Sequence, residues 1–154
     1  MKRTLLLLSL LIMVITAVAL LGCENADVEK LIAAVEKSIS DFESAVNNDS
    51  VDQIKNALSP ESSFYITGEF DTFLEYFDGF RPVAYSSYTI NVSGESADAY
   101  ASATYSGVPV DGGVWFWFKR EIISLSPSYK VYRYYDNGDW NNPIWKKIQD
   151  QKDN

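Results

Sequence analysis

Histidine is absent from this sequence of 154 residues, and cysteine occurs once, as Cys23. Without histidine there is no Ser-His-Asp triad and no Cys-His pair. With a single thiol there is no internal disulfide, and no zinc site can be built on His or Cys. The catalytic vocabulary that remains is Asp, Glu, Lys, Tyr, Ser and Thr. Basic residues are scarce, 13 against 21 acidic ones, for a net charge of −8. That balance argues against nucleic acid as a partner, because such binding rests on basic contacts to phosphate. It also argues against docking on anionic lipid by charge, and the acidity serves solubility. After Gly22 no apolar run is long enough to span a bilayer. There is no internal repeat and no low-complexity stretch.

What is present begins with Thr4 to Gly22, an uncharged apolar run after Lys2 and Arg3. A run of about 20 such residues can cross a bilayer, so its end decides the reading. It closes in Leu20-Leu21-Gly22-Cys23, which resembles a bacterial lipobox, with Leu21 where the pattern prefers Ala or Ser. The resemblance implies a lipoprotein signal peptide over 1–22 and a lipidated Cys23 with a short tether over 23–27. Such a cysteine carries a diacylglyceryl group and often an amide-linked chain such as palmitate. At roughly 0.8 kcal/mol per buried methylene, two or more chains hold a protein stably on a membrane. The other reading is an uncleaved signal anchor with an incidental cysteine. On the lipoprotein reading 132 residues remain, with 11 basic against 21 acidic residues and a net charge of −10. The expected location is the extracytoplasmic face of a bacterial membrane, with 28–152 as a single domain.

Within that domain Val28, Leu31, Ile32, Val35, Ile39, Phe42 and Val46 recur at helical spacing, with charged residues opposite. They predict an amphipathic helix of about 20 residues. Ser50-Val51-Asp52-Gln53 reads as a capping box opening a second short helix. Ser63 to Thr67 reads as a short extended piece. Phe70, Phe73, Leu74 and Phe77 mark a third helix that stops at Asp78-Gly79. From Phe80 the period becomes two, and four strands are expected, over 82–92, 97–106, 114–123 and 129–135. In the first, Ser86, Tyr88, Ile90 and Val92 share a side; in the second, Ala97, Ala99, Ala101 and Ala103 share a face. Pro143 to Lys152 reads as a final short helix. Helices followed by a meander of strands give an α+β fold, with N-terminal helices packed on a curved antiparallel sheet.

The order of these elements, "FESAVNNDSVDQIKNALSPESSFYI" from Phe42 to Ile66, and the late pair "VWFWFKREI" and "YKVYRYY" resemble the NTF2-like superfamily. Tyr129 stands about where that family has a tryptophan opening its last strand. The resemblance implies a conical pocket between helices and sheet and, frequently, a dimer; it implies no single activity.

Aromatic residues are the strongest compositional signal, with 4 Trp, 10 Tyr and 8 Phe, all after Cys23. Val114 to Phe118 is apolar at five consecutive positions, which predicts a strand covered on both faces. The helices cover one. The other is met by the C-terminal segment with Trp140 and Trp145, or by a partner, most simply a second copy meeting it sheet to sheet. Trp115, Trp117, Tyr132 and Tyr134 are candidates to line a cavity for an apolar ligand, with Arg133 as a clamp; the competing reading places them in the core. Arg133 also suits an ion pair with Glu121 or a stacking contact. Asp98 and Tyr100 share a strand face and are the candidate acid–base pair, against a solvated Asp98. Asp136 to Asn142 is rich in oxygen ligands but lacks the calcium-loop spacing, and reads as a polar turn. No cofactor and no metal are implied. The leading functional reading is a membrane-tethered, non-catalytic binding domain for a small apolar ligand or an envelope protein. The alternatives are a small Asp/Tyr acid–base enzyme and a structural subunit with a filled interior.

Overall fold

The computed structural model describes residues 27–121 and 126–136. Helix α1 covers residues 27–47. Val35, Ile39, Phe42 and Val46 fall on one stripe of it and are fully buried, as a period of 3.6 requires. Val28, expected on that stripe, is 45% exposed. Asp27 is already helical and pairs with Lys30 at 3.5 Å, so the helix begins inside the expected tether.

Asn48 and Asp49 turn the chain, Asp49 with a φ of 53°. Helix α2, Val51–Ala57, starts as expected, with the Ser50 hydroxyl accepting from the Gln53 amide at 3.3 Å. Only half of the capping box forms, because the Gln53 side-chain oxygen accepts from Asn48 Nδ2 at 3.1 Å. Helix α3, Ser63–Thr67, replaces the extended piece expected there. Ser62 caps it through the Tyr65 amide, and Gly68 ends it with a left-handed φ of 70°. Phe64 is buried but Ile66 is 73% exposed. Helix α4, Phe70–Glu75, buries Phe70, Phe73 and Leu74, and Phe77 follows into the core.

The sheet is antiparallel, with strand order β1-β2-β4-β5 and β3 paired to β2. Its strands are β1 Val83–Ser93, β2 Ser96–Tyr105, β3 Val108–Pro109, β4 Val114–Glu121 and β5 Ser128–Asp136. The four expected strands lie within one residue of these at every described end; β3 was not expected. The alternation in β1 is broken. Its register slips between Ser86 and Thr89, and Ser87 has a φ of 53°. Val83 and Tyr85 therefore point inward before the bulge and Tyr88, Ile90 and Val92 after it. Ser86 does not share their side.

Helices and sheet form an α+β fold, with the core between the helices and one sheet face. The inward alanines of β2, Ala97, Ala99, Ala101 and Ala103, are at most 5% exposed, and their small size leaves room for large rings. Phe42 sits at the centre. Its ring stacks on Tyr134 at 5.3 Å and meets Phe73 and Phe116 edge-on at 5.8 and 5.6 Å. Asn47 behaves as one more strand partner for Val83, donating to its carbonyl and accepting from its amide, both at 2.8 Å. Arg81 ties the helices to the start of β1, donating to the carbonyls of Val46 and Leu74 while pairing with Asp49 and Asp78. Among the described residues no helix is long and apolar enough to cross a membrane. The run Thr4 to Gly22, Cys23, and the C-terminal readings around Trp140 and Trp145 lie outside the described residues.

Candidate interaction face and a buried tyrosine network

Strand β4 alternates cleanly. Val114, Phe116 and Phe118 point inward and are at most 1% exposed, while Trp115 and Trp117 point outward and are each 39% exposed. The helices thus cover one side of the five-residue apolar run, and the two tryptophans keep much of their surface on the other. Strand pairing sets them in two rows across the outer face. One row is Thr89, Tyr100, Trp115 and Tyr135; the next is Asn91, Asp98, Trp117 and Arg133. The Trp115 ring lies 5.1 Å from Tyr100 and 6.3 Å from Trp117, the two indoles being within 24° of parallel. Asn91 donates to Asp98 Oδ2 at 3.0 Å.

The register of β5 slips opposite Trp117 and Phe118, so that Trp117 faces Arg133 and Phe118 faces Val131. Tyr132 is the extra residue of this bulge. Its ring packs under the Lys119 ammonium at 5.4 Å and the Arg133 guanidinium at 5.1 Å. The five residues singled out for a ligand therefore divide. Trp115, Trp117 and Arg133 lie on the outer face with Tyr132 beside them, and Tyr134 is in the core, 2% exposed. They do not line one cavity, because the bulge reverses the phase of β5 between Tyr132 and Tyr134. Arg133 stacks on Tyr132 rather than pairing with Glu121, whose carboxylate takes Lys130 at 3.8 Å. Asp98 and Tyr100 share a face as expected, but that face is the outer one, and Asp98 is only half-buried.

A second cluster lies inside. Asp136, expected to open a polar turn, is the last residue of β5 and is 4% exposed. Its Oδ2 accepts from the hydroxyls of Tyr76 and Tyr105, each at 2.7 Å. The Tyr105 and Tyr134 hydroxyls bond to each other, and Tyr85 donates to Tyr134 at 3.2 Å. The network joins β1, β2, β5 and the end of α4. Burial raises the pKa of Tyr85, Tyr105 and Tyr134 far above the usual tyrosine value, and the Asp136 charge raises all three further. The three hydroxyls stay neutral and act as donors. Residue-by-residue reading missed this cluster. The signal for it was tyrosine at inward positions of three strands, since a buried phenol needs a polar partner.

Between α1, α2 and the start of β5 lies a polar surface cleft of ≈ 330 Å³, lined by Asp41, Ser44, Gln53, Asn56, Ala57 and Lys130. Lys130 closes one side of it by donating to the Asn56 carbonyl. Among the described residues, no three or more acidic, His or Cys side chains are grouped to hold a metal ion. The chain matches no known protein-family model, and no curated protein is significantly similar to it in sequence.

Proposed function

We propose that this chain is a membrane-tethered, non-catalytic docking domain whose working surface is the outer face of the sheet around Trp115 and Trp117. The observation that carries the reading is their exposure, 39% each, at the middle of a sheet. A tryptophan offers about 250 Å². The exposed share is therefore on the order of 100 Å² per ring, worth roughly 2.5 kcal/mol each when a partner covers it. Side chains of this kind anchor protein interfaces. The interior supports a protein partner over a small apolar ligand, because the Phe42, Phe73, Phe77, Phe116 and Tyr134 rings occupy the space between helices and sheet. One observation favours the Asp/Tyr enzyme as the second reading: Asp136 is a buried carboxylate beside the Tyr76 and Tyr105 hydroxyls, although both donate to it rather than into an open cavity.

The tether belongs to the same proposal. Residues 1–22 act as a lipoprotein signal peptide, Cys23 carries the lipid, and an NTF2-like domain stands on the outer surface of a bacterial membrane. Cys23→Ser releases the protein into the soluble fraction on this reading, and continued membrane association contradicts the lipid anchor. The docking face is tested by a photo-crosslinking residue at position 117, with position 71 on α4 as the control, in host membranes. A protein adduct at 117 and none at 71 is expected. Equal labelling at both positions, or none at 117, contradicts the reading.

A further inference from the structure

We infer that the chain's own C-terminal segment, over 137–148, folds back across the end of the sheet where β1 starts and β5 stops, and covers Phe80 and Val108 there. These two apolar side chains are 43% and 66% exposed. They share one surface. The Phe80 ring lies 6.0 Å from Tyr76 and 5.6 Å from Tyr105, and Val108 pairs with Tyr105 in the register of β2 and β3. The platform under them is fixed. The Ser106 amide donates to the carbonyls of Phe80 and Pro82, and the Ser106 hydroxyl to those of Gly79 and Arg81. One residue thus locks the loop before β1 to the loop after β2. Apolar surface held this way marks a contact site, because its own loops are not free to turn and bury it.

Position, composition and charge name the occupant. The described chain ends at this spot: Asp136 pairs with Val114, and its carboxylate accepts from Tyr76 and Tyr105, the two rings beside Phe80. Trp140 follows four residues later, so it lies within about 14 Å of Asp136 even at full extension. Beyond it come Ile144, Trp145 and Ile148, which recur at helical spacing and can present one apolar face. Lys146 and Lys147 flank that face. On the receiving side, Glu75 ends α4 and Asp111 lies between β3 and β4. Both are exposed, and among the described residues neither makes a salt bridge. The two lysines therefore meet uncompensated carboxylates at this end of the sheet. The outer face suits them less, because the Lys119 and Arg133 cations already crowd the Tyr132 ring there. A segment held over Phe80 leaves Trp115 and Trp117 open to a partner.

The test is a photo-crosslinking residue at position 108 of the full chain in non-ionic detergent, with the linked peptides mapped by mass spectrometry. A link within the chain from 108 to 140–148 is expected. Reversing both carboxylates, Glu75→Lys with Asp111→Lys, is expected to lower the yield of that link at least threefold. Adding Lys146→Glu and Lys147→Glu to the same chain is expected to return it to within about twofold. All four positions are polar, and circular dichroism checks that each variant is folded. No link from 108 to this segment, a link from 108 to another protein instead, or a yield that ignores the charge reversals overturns the inference. The crosslinker at position 117 separates this failure from failure of the docking reading. A protein adduct at 117 with no internal link at 108 overturns only the folded-back segment. A link from 117 to 140–148 of the same chain overturns both.

Discussion

Replacing Phe116 by alanine removes a fully buried ring that touches Tyr85, Tyr134, Phe42 and Phe118 at centroid distances of 5.1, 5.1, 5.6 and 5.9 Å. The expected loss is about 3–5 kcal/mol of stability. Its neighbour Trp117 is exposed enough that Trp117→Ser costs about 1 kcal/mol in the isolated chain while weakening association. Urea unfolding at low protein concentration separates the two. The buried tyrosines give a second expectation at this scale. Burial raises the folded-state pKa of Tyr85, Tyr105 and Tyr134 above the ordinary value of 10.0. The unfolded chain releases these protons near pH 10 and the folded chain keeps them. Their contribution is thus fully present below about pH 10 and is lost as pH rises beyond it, by about 1.4 kcal/mol per pH unit for each tyrosine. Tyr85→Phe removes one such increment from the alkaline slope, measured as urea midpoints between about pH 8 and 11.5. Asp136 was the residue that sequence reading placed worst. Its polar neighbours in the chain suggested a turn, and only the folded structure brings the Tyr76 and Tyr105 hydroxyls, distant in sequence, onto the carboxylate that is held inside.

The long amphipathic helix, the alanine face of β2 and the boundaries of four strands were legible because each rests on a period that the side chains repeat several times. The two β-bulges and α3 were not. A bulge inserts one residue and shifts the phase of everything after it, so a period-two reading of β1 or β5 is right on one side of the slip and reversed on the other. That is why Tyr132 and Tyr134 were expected on one face and lie on two. The bulge in β1 places Ser87 at a φ of 53°, where a Cβ is disfavoured. Ser87→Gly is expected to raise stability by about 0.5 kcal/mol, the relief exceeding the added chain entropy. Ser87→Val is expected to lower it by about 1 kcal/mol or more, since a branched side chain fits that conformation least. Thermal unfolding of the two variants checks both signs.

For the whole molecule, the apolar run Val114 to Phe118 announced that two sheet faces needed cover. The sequence could not say which side chains faced which way, because that depends on the register across β2, β4 and β5. The structure turns that run into a filled aromatic interior and a tryptophan-centred outer face. On the proposed reading the lipid on Cys23 confines the chain to a plane, which raises its local concentration and favours docking on a partner in the same membrane. The most direct test is native mass spectrometry of the protein released in detergent micelles from its own host membranes. The account calls for the acylated chain beginning at Cys23 in complex with a protein partner, with no small molecule retained. A single chain carrying an apolar ligand would contradict it.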